Sequence, residues 1–180
     1  MAGRLYAIVG PSGVGKDTLL SEVLQRRPDM HWVRRVITRP ESAGGEPFEG
    51  VTEAEFAQRL DSGEFALHWP AHGLSYGIPK SELAALEQGR DVIFNGSRAA
   101  LKAAAESFPD LTVFGITASP EVLAERLAAR GRESKEDILQ RLNRNTPDYP
   151  SELTVIEIDN SGPLEDGVQA MVAALAPESV

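Results

Sequence analysis

Residues Gly10 to Asp17 read GPSGVGKD, directly after the apolar run Leu5–Val9 and directly before Thr18–Arg26, where Leu19, Leu20, Val23 and Leu24 fall at helical spacing. A phosphate-binding P-loop asks for Gly, four free positions, then Gly-Lys-[Ser/Thr]. Gly10, Gly15 and Lys16 meet that pattern, with Pro11, Ser12, Gly13 and Val14 between them, and Asp17 stands where the hydroxyl residue is expected. The glycines open a backbone path in which successive N–H groups point at phosphate oxygens. A helix beginning near Lys16 aims the positive end of its dipole at the same anion. Lys16 adds a mobile charge for β- and γ-phosphates. Asp17, with Thr18 beside it, offers Mg²⁺ a hard oxygen ligand in place of the usual hydroxyl. A chance glycine-rich turn would lack the strand and helix that flank this one.

A second group of chemistry-bearing residues is basic. Between Arg126 and Arg144 stand six cations (Arg126, Arg130, Arg132, Lys135, Arg141, Arg144) against three acids, in a chain whose net charge is −9. A local positive cluster in an acidic protein suits a small polyanion better than a nucleic-acid backbone. Arg34, Arg35 and Arg39 form another basic run, and alternation along a strand lets only one of Arg34 and Arg35 face a site. His31, His68 and His72 lack metal-site spacing, and with no cysteine there is no disulfide, thiolate metal site or cysteine nucleophile.

The elements that must position these residues alternate. Strand candidates are Leu5–Val9, Trp32–Ile37, Asp91–Asn95, Leu111–Ile116 and Leu153–Ile158, with helices expected at about Ala99–Glu106, Pro120–Ala129, Lys135–Asn143 and Leu164–Ala174. Pro120 after Ser119 reads as a first-turn proline behind its N-cap. Strands separated by helices imply an α/β domain with a five-stranded parallel sheet covered on both faces, and ligands at the carboxyl ends of the strands. Asn95, Ser97 and Arg98 close one such strand. Thr38–Pro79 breaks the rhythm with six glycines, four prolines, one short helix near Glu53–Leu60 and a strand at Phe65–Trp69. It reads as an inserted subdomain of about 38–79 in a single domain of 180 residues, whose core is 1–37 and 80–180. Trp69 belongs to that insertion's core. No apolar stretch reaches the roughly 18–20 residues that span a bilayer, and the N-terminus shows no cleavable signal, so a cytoplasmic location is expected.

In several segments the chain resembles the guanylate kinase family. They are Gly10-Pro11-Ser12-Gly13, Val36-Ile37-Thr38-Arg39, Gly63-Glu64-Phe65, His72-Gly73-Leu74-Ser75-Tyr76-Gly77, Gly89-Arg90-Asp91-Val92 and the arginine-rich stretch after Leu123. The resemblance implies a P-loop NTPase fold with an inserted acceptor subdomain and a closing lid at about 126–144. The residues with which that family reads guanine do not carry over. Pro40–Ala43 lacks the second phosphate-binding arginine, Phe48 falls where a tyrosine is expected, His68 replaces a glutamate, and Asn95-Gly96-Ser97 replaces an acidic position. Losing hydrogen-bond partners for a buried base is costly.

The replacements are similar to a narrower group, the ribose 1,5-bisphosphate phosphokinases of bacterial phosphonate degradation, over nearly the full length. The shared segments include Arg34-Arg35-Val36-Ile37-Thr38-Arg39-Pro40, Phe65-Ala66-Leu67-His68-Trp69, Tyr76-Gly77-Ile78-Pro79, Asn95-Gly96-Ser97-Arg98 and Gly15-Lys16-Asp17. The resemblance implies transfer of phosphate from ATP to ribose 1,5-bisphosphate, giving ADP and 5-phospho-α-D-ribose 1-diphosphate. An ionised phosphate acceptor needs no general base, so catalysis falls to positioning and charge neutralisation. The roles then expected are Gly10–Lys16 on the ATP phosphates, helped by Thr18, Arg126 and Arg132, and Asp17 on Mg²⁺. Lys16, Arg130 and Arg141 are expected at the transferred group. Arg35, Arg39, His68, His72, Tyr76, Asn95, Ser97, Arg98 and Arg144 are expected around the acceptor. The two histidines fit a structural place equally well. Kinases of GMP or another small acceptor stay open, as does a binding-only domain, although the latter would be expected to lose Lys16 or the glycines. A homodimer is also left open.

Overall fold

Leu5–Val9 forms β1 with all five side chains buried. A strand without a polar face needs cover on both sides. The computed structural model describes residues 3–10, 15–40, 48–71, 73–129, 134, 136, 149–150 and 153–175. In it β1 is the middle of a five-stranded parallel sheet, flanked by β2 (His31–Trp32), β7 (Val92–Asn95), β8 (Thr112–Thr117) and β9 (Thr154–Asp159) in the order β2-β7-β1-β8-β9. The two-residue period sorts the core. Leu5, Ala7 and Val9 pack with Ala100, Leu101 and Ala104 of α3 (Arg98–Ser107). Tyr6 and Ile8 face the other way, onto Leu19, Leu20 and Val23 of α1 (Lys16–Arg26) and Val168, Met171 and Leu175 of α5 (Leu164–Leu175). The expected parallel sheet with helices on both faces is therefore present. Ser119 caps α4 (Pro120–Ala128) as expected, its Oγ accepting from Val122 N at 3.3 Å. Among the described residues no helix is long and apolar enough to cross a membrane.

A second sheet, of four strands, stands beside the first in the order β4-β3-β6-β5. It consists of β3 (Arg35–Ile37), β4 (Phe48–Gly50), β5 (Phe65–Ala71) and β6 (Leu74–Pro79). The segment Trp32–Ile37, expected as one strand, is thus divided between the sheets. Val33 N still donates to Ile93 O of β7 at 2.9 Å, and two residues later β3 has joined β4 and β6. β4 and β6 were not expected from the sequence, nor was the 3₁₀ helix at Lys80–Gln88.

One face of the second sheet carries Val36 and Phe65 against Phe56 of α2 (Glu53–Asp61), with the two phenylalanine rings stacked at 4.8 Å. The other face sends Ile37, Leu67, Trp69, Tyr76 and Ile78 into the core shared with α3. Gly77 is required by space, because a Cβ there would lie 2.7 Å from the Phe65 ring. Thr52 caps α2 by accepting from Glu55 N at 3.1 Å. Thr52→Ala is expected to lower stability by about 1 kcal/mol. An unchanged urea midpoint would show that the cap contributes nothing.

Candidate active site

The site is built where β1, β7 and β3 end. Of the loop after β1, Gly10 and Gly15 are described, and Pro11, Ser12, Gly13 and Val14 lie outside the described residues. Gly15 has φ 84°, a left-handed conformation that favours glycine, and no side chain caps the helix that follows. A Cβ on Gly15 would also lie 3.1 Å from Asn160 Nδ2. The first turn of α1 therefore leaves its amides to whatever anion the loop holds. Lys16 Nζ donates to Gly10 O at 3.5 Å, closing the loop on itself. Burial lowers the Lys16 ammonium from its ordinary pKa, with Asp17 opposing the shift and Arg35 adding to it. Thr18 is exposed on the same turn.

Asp17 stands beside Lys16 and is held from β7, where Asn95 Nδ2 donates to its Oδ1 at 2.8 Å. Asn95 Oδ1 in turn accepts from Trp32 Nε1 at 2.6 Å. Asn95, expected as an acceptor contact, is thus buried and engaged at both ends of its amide by protein groups. Mg²⁺ is commonly bound through one or two carboxylates together with substrate phosphates. Asp17 beside a phosphate loop fits that arrangement.

Of the paired arginines, Arg34 is exposed and Arg35 is 8% exposed. The Arg35 guanidinium lies 4.9 Å from the Tyr76 ring centroid and 6.0 Å from that of Trp69. Those two rings stack 5.6 Å apart and 5° from parallel. Burial pushes the Arg35 guanidinium down to about 10, which Tyr76 and Asp17 resist and Arg39 reinforces. It stays cationic at neutral pH. Arg39 sits over the Phe48 ring at 4.4 Å. The structure therefore brings Lys16, Asp17, Arg35, Arg39, Tyr76 and Asn95 into one electrostatic neighbourhood.

It does not bring all the expected residues there. His68 is exposed on β5 between buried Leu67 and Trp69, so it lies on the face opposite the Arg35 cluster. Ser97 precedes α3, and its buried Oγ has no hydrogen-bond partner among the described residues. Arg126 Nη2 donates to Asn160 O at 3.0 Å, on the loop that backs Gly15. His72, Arg130, Arg132, Arg141 and Arg144 lie outside the described residues, as does the side chain of Arg98. Trp32 was not singled out from the sequence as a site residue, because its partner Asn95 is distant in the chain.

This combination, a phosphate loop opening a helix, a carboxylate beside it and a buried arginine from a second sheet, defines a phosphoryl-transfer fold. Residues 2–175 match the guanylate kinase family model. A solved guanylate kinase from Anaplasma phagocytophilum superposes with a TM-score of 0.69 at 19% identity, covering 97% of this chain and 85% of that one. At that identity the likeness is one of fold. The ribose 1,5-bisphosphate phosphokinase of Rhizobium etli (strain CIAT 652) is 48% identical over 176 residues, 96% of this chain and 89% of the relative. That of Agrobacterium fabrum is 48% identical over 174 residues, 95% of each chain. The chain belongs to the guanylate kinase family, in its ribose 1,5-bisphosphate phosphokinase branch.

Proposed function

We propose that the protein transfers the γ-phosphoryl group of ATP to the 1-phosphate of α-D-ribose 1,5-bisphosphate, giving ADP and 5-phospho-α-D-ribose 1-diphosphate. The observation that carries this is the 48% identity, over nearly the whole chain, to phosphokinases named for that substrate. An oxygen of the 1-phosphate attacks the γ-phosphorus. The bond from that phosphorus to the bridging oxygen breaks, and its electron pair leaves with the β-phosphate of ADP. The nucleophile is already ionised, so no residue has to remove a proton.

Lys16 and the amides after Gly10 hold the β- and γ-phosphates. Asp17 would hold Mg²⁺, which supplies charge neutralisation on those phosphates when bound. Arg35, Arg39 and Tyr76 receive the acceptor's phosphates from the second sheet, which acts as the acceptor subdomain. Arg126 supports the nucleotide loop. By sequence position, Arg130, Arg132, Arg141 and Arg144 complete the charge clamp as a lid closes. Phe48 has no hydroxyl to donate, and together with the absent second arginine this disfavours GMP. Use of ATP and a sugar phosphate supports a cytoplasmic location.

ADP release from Mg-ATP should be followed with ribose 1,5-bisphosphate, ribose 5-phosphate and GMP offered separately. The expected kcat/KM favours the bisphosphate by about 10³-fold or more. Comparable turnover of GMP would overturn the assignment.

A further inference from the structure

We propose that Trp32 and Asn95 form a hydrogen-bond relay that fixes the Asp17 carboxylate for Mg²⁺–ATP, which makes both of them positioning residues rather than acceptor contacts. This rests on Asp17 being the residue that holds Mg²⁺. The relay joins three separate elements, β2, β7 and α1: Trp32 Nε1 to Asn95 Oδ1 at 2.6 Å, then Asn95 Nδ2 to Asp17 Oδ1 at 2.8 Å. Its direction follows from chemistry alone. An indole N–H can only donate, so Asn95 must turn its oxygen to Trp32, and its NH₂ must then face the carboxylate. Without Trp32 the amide could turn over and present its oxygen to Asp17, repelling it.

The backbone holds each member in place. Asn95 is opposite Ile8 of β1, the strand that leads into the phosphate loop, and Trp32 is opposite Ile93 of β7. Asn95 is 1% exposed, so water does not compete for its amide. With Oδ1 engaged, Asp17 Oδ2 accepts no hydrogen bond among the described residues. One oxygen is therefore anchored and the other is presented. Mg²⁺ demands near-octahedral geometry, and a carboxylate held in one orientation meets it without first losing rotational freedom.

The test is ATP binding by calorimetry without any acceptor, in Mg²⁺ and again in EDTA. Asn95→Leu is expected to weaken binding about tenfold in Mg²⁺, and Trp32→Phe, which keeps a ring in place, about threefold. In EDTA both should bind ATP as the wild type does. The chain has two tryptophans, so its indole N–H NMR signals number two, and the one missing in Trp32→Phe belongs to Trp32. That signal should shift when Mg²⁺ joins bound ATP in the wild type and stay still in Asn95→Leu. Equal losses with and without Mg²⁺, or no loss in either variant, would overturn the relay. Asp17→Asn distinguishes the underlying assignment: if it binds Mg²⁺–ATP like the wild type, Asp17 does not hold the metal and the relay falls with it. Because no acceptor is present, none of these results depends on which acceptor the enzyme uses.

Discussion

Lys16→Ala is expected to lower kcat by about 10³-fold while the fold is kept. The magnitude is that of removing one preorganised charge from the place where negative charge is redistributed in a phosphoryl transfer. Lys16 is preorganised at a cost, since burial disfavours its charged form and Arg35 adds to the effect. Its pKa is lowered on folding, so between that value and 10.5 the unfolded chain binds more protons than the folded one. Stability contributed through Lys16 therefore rises with pH across that window and stays at its lowest, unchanged, at every pH below it. The alanine variant should lose this part of the pH dependence and melt no lower than the wild type at neutral pH. Single-turnover transfer and a pair of melting curves check both halves. Full transfer by Lys16→Ala would refute the phosphate-loop assignment.

Arg35→Met is expected to have the next largest effect, and to act mainly on the acceptor. The guanidinium is buried against the stacked Tyr76 and Trp69 rings, and its displacement down to about 10 corresponds to about 3 kcal/mol of net charge-burial cost. A dianionic phosphate at the guanidinium offsets that cost. Acceptor KM should therefore rise about 10²-fold in Arg35→Met with ATP affinity little changed, and the stabilisation that ribose 1,5-bisphosphate gives the wild type should vanish. Without ligand the methionine variant, keeping an apolar chain of similar length against the rings, should unfold no earlier than the wild type. A variant that unfolds well before the wild type, with unaltered KM, would make Arg35 a structural residue.

What the sequence discloses follows the distance over which each feature is determined. The phosphate loop is legible because its glycines, lysine and flanks lie within a few residues of one another. β1, β7 and β8 are legible because buried parallel strands are continuous apolar runs, and β9, at the sheet edge, through its β-branched Val155, Ile156 and Ile158. β6 is not, since Leu74–Pro79 carries a glycine and ends in proline, and its strand character comes from pairing with β3 and β5. β4 is three residues long, and its register with β3 is set by tertiary packing. The division of Trp32–Ile37 is hidden for the same reason, because its β-branched residues suit either sheet.

In the site, Asp17 is visible as a departure from a motif, whereas its partner lies 78 residues away. Asn95 therefore read as a ligand contact when its amide serves Asp17. Alternation correctly left a single one of Arg34 and Arg35 to face inward, and the same rule turns His68 outward.

The central claim is that the accepting atom belongs to the 1-phosphate of the sugar. ³¹P NMR of the products from Mg-ATP and ribose 1,5-bisphosphate tests it most directly. The expected spectrum shows ADP together with a new pair of coupled diphosphate resonances on C1, and the 5-phosphate monoester signal persists. A diphosphate built on the 5-position, or ADP formed with GMP and not with the bisphosphate, would contradict it.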